Sequence, residues 1–262
     1  MKHLTPIYDI ANQFAQYTQT SIFITGNAGT GKTTFLRKLR STTQKQIAVV
    51  APTGVAAINA GGVTIHSFFQ LPFTPFVPTI EGEHNLMSKI KMTSMRRKVI
   101  QELELLVIDE ISMVRADLLD EIDTVLRHIR YRKNLPFGGV QVIFIGDLYQ
   151  LPPVVTPDVQ ETLAPYYEGF FFFNSKVIQQ QPPTYIEFDT IFRQEDTHFI
   201  KLLNEVRLNQ LSNESFELLQ QRYNPDYKIN KEDNSILLTT HNAKAERIND
   251  EELAKIKAHT HT

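Results

Sequence analysis

The stretch "SIFITGNAGTGKTTFLRKLR" (21–40) constrains this chain more than any other. An apolar, β-branched run ends in a glycine-rich loop, and the loop opens a helical pattern. The loop residues Gly26, Asn27, Ala28, Gly29, Thr30, Gly31, Lys32 and Thr33, with Thr34 behind them, follow the spacing G-x-x-x-x-G-K-[ST]. Glycines let successive backbone N–H groups curl around phosphate oxygens, and the helix start adds the positive end of a dipole. Lys32 adds a charge at the β- and γ-oxygens, while the Thr33 hydroxyl can ligate Mg²⁺. The expected ligand is a nucleoside triphosphate, ATP with Mg²⁺.

Further apolar runs recur at 46–51 ("QIAVVA"), 103–110 ("LELLVIDE"), 140–147 ("VQVIFIGD"), 184–189 ("TYIEFD") and 235–240 ("SILLTT"). Continuous runs of this length suit strands buried on both faces. Between them lie helical patterns, clearest at 115–131, where Leu118, Leu119, Ile122, Val125, Leu126 and Ile129 recur three and four apart. Strands alternating with helices predict an α/β fold with a mainly parallel sheet flanked by helices. Residues 67–100 break the rhythm with prolines among aromatics and a basic segment, and predict an inserted loop or subdomain. "GFFFF" (169–173) reads as a buried strand or a hydrophobic docking segment.

A phosphate loop needs an acidic partner at the end of another strand. "LLVIDE" supplies Asp109 to hold the metal and Glu110 to polarise a water for attack on the γ-phosphate. Two adjacent acids favour hydrolysis over transfer to a bound acceptor, without excluding a kinase.

Charge bears on the partner. With 27 Lys+Arg against 29 Asp+Glu, no global basic field announces a nucleic acid, so any such partner must be held by a local surface. The absence of cysteine rules out disulfides and thiolate metal sites. No apolar segment approaches the ~20 residues that span a bilayer, and the amino terminus lacks a signal-like run. These features read as a soluble intracellular protein without a membrane partner, cytoplasmic if bacterial; a monomer is expected.

Four dispersed segments point further. "APTGVAAINAGGVTIHSFF" (51–69), "DEISMVRADLLDEIDTVLRHIR" (109–130), "PFGGVQVIFIGDLYQLPPV" (136–154) and "IFRQ" (191–194) resemble, in order and spacing, motifs of the Pif family of superfamily-one DNA helicases. The resemblance runs from about residue 5 to about 250. It implies RecA-like domains that bind ATP between them and move 5′ to 3′ along single-stranded DNA, opening duplex junctions. By matching, Asp109 holds the metal, Glu110 is the general base, Gln150 senses the γ-phosphate and links it to the DNA site, and Arg193 neutralises charge on the transferred phosphoryl group. Pro52, Thr53, Gly54, His66 and Ser67 match segments that line the single strand. Phe68, Phe69, Phe73 and Phe76 are candidate base-stacking residues, and Lys89, Lys91, Arg96, Arg97 and Lys98 are candidate phosphate contacts.

The chain also departs from the family pattern. The adenine-contacting glutamine falls at Asp9, with Asn12 and Gln13 nearby. The resemblance divides the chain into a first RecA-like ATPase domain at 1–190 and connecting helices with the start of a second, truncated one at 191–262. On that division these residues alone are expected to bind nucleotide, hydrolyse it slowly and not unwind DNA. Two other readings stay open: a degenerate P-loop module that regulates a partner, and a P-loop kinase acting on a small molecule.

Overall fold

The computed structural model describes residues 6–190, 196–227 and 236–255. It divides into two compact units, Met1–Arg207 and Leu208–Thr262. The division falls after Arg207, whereas the sequence suggested 190.

In chain order the first unit contains α1 (Pro6–Tyr17), β1 (Ile22–Gly26), α2 (Lys32–Thr42), β2 (Ile47–Ala51), α3 (Gly54–Ala60), β3 (Val63–Thr64), α4 (Ile65–Phe69), α5 (Ile80–Lys89) and α6 (Ser94–Glu102). There follow β4 (Leu105–Ile108), α7 (Ala116–Ile129), β5 (Gln141–Ile145), α8 (Pro157–Leu163), α9 (Lys176–Gln180), β6 (Thr184–Phe188) and α10 (Thr197–Arg207). The strands form one six-stranded sheet in the order β3-β2-β4-β5-β1-β6. Every pairing in it is parallel.

Alternation along the central strands explains the layers. Ile22, Ile24, Leu105, Val107, Ile143 and Ile145 face α1 and α2, where Tyr8, Ala11, Phe35, Leu36 and Leu39 cover them. Their neighbours Phe23, Leu106, Ile108, Val142 and Phe144 face the opposite core with Leu119, Ile122, Val125 and Leu126 of α7. Both faces are buried, so the strands read as continuous apolar runs.

Lys45 locks the end of the sheet remote from the site. Its ammonium donates to the carbonyls of Ala15 (2.9 Å) and Thr18 (2.6 Å) and to Oε1 of buried Gln141 (2.7 Å). The Gln141 amide in turn donates to the carbonyls of Phe14 and Thr20. Carbonyls at and beyond the carboxyl end of α1 are thereby satisfied by a cation, the sign that the helix dipole prefers.

Residues 67–100, expected as an inserted loop or subdomain, hold the end of α4, all of α5 and most of α6. Threonines 53, 64, 79 and 93 cap α3, α4, α5 and α6, each accepting a backbone N–H from the first turn. Such caps are worth ~1 kcal/mol apiece and fix where each short helix starts. Phe68, Phe69, Leu71, Phe76, Leu86, Ile90 and Ile100 enter the same core as α7, and Asp117 accepts the Phe76 N–H (3.1 Å). Phe68, Phe69 and Phe76 are therefore packing residues, not stacking surfaces.

Two other expectations change. "GFFFF" forms a single bridge, Phe171 to Arg115, and a short 3-10 turn at Phe172–Asn174. Phe172 alone of the four phenylalanines is fully buried. Ser235 lies outside the described residues, and 236–240 form no strand. Ile236 and Leu238 are exposed with no pairing strand beside them among the described residues, and an unpaired apolar run is not held extended. In the second unit the described helices are α11 (Asn213–Gln220), capped by Ser212, and α12 (Asn242–Leu253).

Candidate active site

Parallel strands bring their carboxyl ends to one edge of the sheet, and there open α/β sheets bind ligands. β5 lies between β4 and β1. The Asp109-Glu110 pair, the Asp147–Gln150 loop and the glycine loop therefore follow one another along that edge. At its far end, beyond β2 and β3, come Pro52-Thr53-Gly54 and His66-Ser67.

The glycine loop is shaped for backbone donation. Gly26, Gly29 and Gly31 have φ of 142°, 85° and 91°, a region open to glycine at little cost. At Gly26 a side chain is also excluded by space, because a Cβ there would overlap the Phe188 carbonyl of β6. Buried Thr30 closes the loop by donating its hydroxyl to the Asn27 carbonyl (2.9 Å). The Lys32 ammonium lies across the loop, bonded to the carbonyls of Gly26 (2.6 Å) and Asn27 (3.0 Å). Ala28 is exposed, and Lys32, Thr33 and Thr34 occupy the first turn of α2.

The acids face this loop. Burial lowers the Lys32 pKa, while Asp147, Glu110 and Asp109 raise it and Arg207 lowers it further. All four groups therefore share one electrostatic site with the ammonium. Burial, reinforced by adjacent Glu110, pushes Asp109 up to about 6. Its backbone is tied to the sheet by an N–H donated to Val50. Glu110 has a φ of 52°, uncommon for a residue other than glycine. Its side-chain direction is thus set by a left-handed backbone step that ends β4.

The fit to a nucleotide with Mg²⁺ follows from the donor set. Thr33 and Asp109 offer a hydroxyl and a carboxylate, hard oxygen donors of the kind Mg²⁺ takes alongside substrate phosphates. No group of three or more acidic or histidine side chains that could cage a metal alone occurs among the described residues. One carboxylate and one hydroxyl are the complement expected when phosphates supply further ligands.

Gln150 is held by a residue that the sequence reading passed over. Asp147, 1% exposed, accepts the Gln150 amide Nε2–H (3.0 Å) and the Arg207 guanidinium on Oδ2, and the Tyr149 N–H (3.0 Å) on Oδ1. Burial opposes this charge, but the Arg207, Tyr149 and Gln150 donors outweigh it and hold the Asp147 pKa below the usual value. The Arg207 guanidinium covers the Tyr149 ring at 4.4 Å. One turn earlier on α10, Asn204 accepts the Asn27 side-chain amide (3.1 Å). A cleft of about 360 Å³ is lined by Asn27, Ala28, Asp147, Gln150, Asn204 and Arg207, with others. Asp147 ends an apolar run just as Asp109 does, a parallel visible in the sequence. Asn204 and Arg207 carry no such signal, since two polar residues three apart on a helix are ordinary. Arg193 lies outside the described residues.

At the far end, Thr53 caps α3 and so turns the exposed Gly54 N-terminus outward. The His66 ring stacks on Phe73 at 4.6 Å and 17°, and Phe73 is 89% exposed. Burial, aided by Arg115, holds His66 below its usual pKa, so the ring is neutral near pH 7. Ser67 donates its N–H to the Thr64 hydroxyl. Arg96 is committed to the carbonyls of Ser67 and Phe68; Lys89, Lys91, Arg97 and Lys98 are exposed, and Lys98 pairs with Glu102 (3.7 Å). Asp9, Asn12 and Gln13 lie on α1, where Asn12 accepts the Gln16 amide.

A parallel sheet flanked by helices, with a glycine cradle after β1 and an acidic pair after β4, defines a P-loop NTPase with a RecA-like domain. The family model for PIF1-like helicases matches residues 4–216, and the chain belongs to that family. It is 41% identical over 194 residues to the ATP-dependent DNA helicase PIF1 of Candida albicans, covering 71% of this chain and 21% of the relative. The Pif1 helicase from Bacteroides in complex with ADP-AlF3 and ssDNA superposes with a TM-score of 0.89 at 40% identity, over 99% of this chain and 59% of that one. A structure describing DNA unwinding at forked dsDNA by two coordinating Pif1 helicases gives 0.85 at 42% identity, over 96% and 58%. The chain thus spans about a fifth of the curated relative and under three fifths of the solved ones. No helix among the described residues is long and apolar enough to cross a membrane.

Proposed function

We propose that these residues form the ATPase core of a DNA helicase that couples ATP hydrolysis to 5′-to-3′ movement on single-stranded DNA and to the opening of duplex junctions. One observation carries the reading: Lys32 shares a single electrostatic site with Asp109, Glu110 and Asp147, and Gln150 is bonded to the last of these. This proximity supports reading them as cradle, metal carboxylate, base and sensor of one site. Neither a regulatory module nor a small-molecule kinase requires the Gln150 loop beside the acids and the Thr53 and His66 segments on the same edge. The complexes of the Bacteroides relative with ssDNA and ADP-AlF3 support the same choice of ligands.

In the proposed mechanism the backbone N–H groups of Gly29 to Thr33 surround the β-phosphate, and Thr34 extends the polar start of α2. Lys32 exchanges its carbonyl partners for β- and γ-oxygens. Thr33 and Asp109 would hold Mg²⁺, which would supply neutralisation of the phosphate charge. Glu110 accepts the proton of the attacking water. Gln150 spends one amide N–H on Asp147; its Oε1 and second N–H remain to orient the water and meet the γ-phosphate. Arg193 neutralises charge on the transferred phosphoryl group. At the other end of the edge, Pro52, Thr53 and Gly54 present backbone groups to the strand, Ser67 adds a hydroxyl, and neutral His66 with Phe73 offers a stacking face. The protein is proposed to act as a monomer.

The test is nucleotide binding by these residues, and ATP turnover with and without single-stranded DNA both in them and in a chain extended through a second RecA-like domain, each as the wild type, Lys32→Ala and Gln150→Ala, with DNA-dependent turnover read in the extended chain. Lys32→Ala is expected to lose nucleotide binding. Gln150→Ala is expected to keep binding and to lose the DNA-dependent part of turnover selectively. Undiminished binding in Lys32→Ala, or equal loss of basal and DNA-dependent turnover in Gln150→Ala, refutes the assignment.

A further inference from the structure

The carboxylate of Asp147 has no assigned task, yet it is among the most deeply buried charges at the site. Among the neighbouring charges it acts most strongly on the Lys32 ammonium. An unneutralised carboxylate here would have two effects on a nucleotide. It would attract the Lys32 ammonium away from phosphate, and it would repel the γ-phosphate directly. Neither effect is strong while Arg207 is paired with it.

The geometry makes Arg207 a fitted partner. Its guanidinium carbon sits over the Tyr149 ring, 4.4 Å from the centroid, and the guanidinium bonds to the same oxygen of Asp147 that receives the Gln150 amide. A carboxylate only accepts, so the group of Gln150 facing it must be the NH₂, and Oε1 is thereby turned away. Asn204, on the same face of α10, holds Asn27 inside the glycine loop. Arginine suits this place because a planar fork can stack and bond at once, which an ammonium cannot.

We propose that Asp147 and Arg207 are a positioning pair for recognition of the γ-phosphate: Asp147 fixes the sense of the Gln150 carboxamide, and Arg207 cancels the Asp147 charge so that a triphosphate is favoured over a diphosphate. The inference rests on the nucleotide-site reading above. Both residues act through others, Asp147 through Gln150 and Arg207 through Asp147.

The experiment compares the affinities of fluorescent ADP and a fluorescent, slowly hydrolysed ATP analogue, each with Mg²⁺. The proteins are the wild type, Arg207→Ala, Arg207→Lys, Asp147→Asn, the double variant Asp147→Asn/Arg207→Ala, and Lys32→Ala. A unit charge a few ångströms from phosphate in a partly buried site changes affinity by roughly tenfold or more. Arg207→Ala is expected to weaken the triphosphate about tenfold more than the diphosphate, and Arg207→Lys to fall between it and the wild type. Asp147→Asn removes the repulsion and leaves Arg207 unopposed, so it should shift the ratio the opposite way. In the double variant, removing the bare carboxylate should restore the ratio to within about threefold of the wild type.

Equal weakening of both nucleotides in Arg207→Ala, or a double variant no better than Arg207→Ala, overturns the pairing. Should Arg207→Ala fail to fold, as judged by circular dichroism, the opposite shifts expected of Asp147→Asn and Arg207→Lys decide the question. Nucleotide binding that survives Lys32→Ala would instead refute the nucleotide-site reading. Loss in Lys32→Ala without a change of ratio in the Asp147 and Arg207 variants refutes this inference alone.

Discussion

Helix α7 buries Asp117, Asp120, Glu121 and Asp123. The three aspartates are each met by donors: Asp117 by Arg115 and the Phe76 N–H, Asp120 by Tyr167 and the Lys176 and Val177 N–H groups, and Asp123 by Arg127 and the Phe137 N–H. No hydrogen bond reaches Glu121 among the described residues. Burial, reinforced by the Asp117 charge and only partly opposed by Arg115 and Lys89, pushes its pKa from 4.5 up to about 8. The folded protein therefore keeps a proton on Glu121 that the unfolded chain releases. Stability from this group is full below pH 4.5, falls as pH rises, and is lost above pH 8. Across that interval the slope is about 1.4 kcal/mol per pH unit. The ceiling is thus roughly 5 kcal/mol, and after local relaxation a loss on the order of 2–3 kcal/mol is expected. Glu121→Gln keeps the shape and removes the ionisation. Urea unfolding at pH 5 and pH 8.5 measures it, followed by circular dichroism or tyrosine fluorescence because the chain has no tryptophan. The variant should match the wild type within about 1 kcal/mol at pH 5 and exceed it by about 2–3 kcal/mol at pH 8.5. Parallel pH dependence of the two proteins would refute the reasoning.

Other substitutions separate site from core. Phe73→Ala should weaken single-stranded DNA binding by ~1–3 kcal/mol and leave the urea midpoint unchanged; fluorescence anisotropy that detects no weakening removes Phe73 from the interface. Phe69→Ala, in the core, should instead cost ~3–5 kcal/mol of stability, read from the same urea curves. Tyr8 is packed against Phe35 and Phe188 with its hydroxyl buried and without a hydrogen-bond partner among the described residues, so Tyr8→Phe should be neutral or stabilising by up to ~1 kcal/mol, and a clear loss of stability would show that the hydroxyl has a partner. Gly26→Ala should abolish nucleotide binding, because its φ and the Phe188 carbonyl both exclude a side chain; isothermal titration showing wild-type affinity would contradict that geometry.

How far the sequence revealed the site depended on which residues kept their own local signal. The inner strands β1, β2, β4 and β5 were legible because burial on both faces makes them apolar runs, edge strand β6 because its buried Ile186 and Phe188 alternate with exposed residues, and the cradle because phosphate dictates glycine spacing. Val63–Thr64 was not, since two residues carry no period. "SILLTT" was misread because an apolar run is compatible with extension but does not supply a partner. Phe68, Phe69 and Phe76 were ambiguous in sequence because stacking surfaces and cores use the same side chains; only exposure distinguished Phe73. Gln150 was legible by resemblance, but Arg207, 60 residues from Asp147, was placed by the fold.

The strand order has a consequence for how a message could cross this molecule. From β3, which leads into His66 on α4, to β1, which leads into the cradle, the sheet takes four lateral steps, roughly 19 Å at the usual spacing. The sheet works as a ruler: hydrogen-bonded strands keep that separation fixed whatever is bound at either end. Any report of phosphate chemistry to the far end must therefore run through the loops along its rim, of which the Asp147–Gln150 turn after β5 is the first, one strand from the cradle.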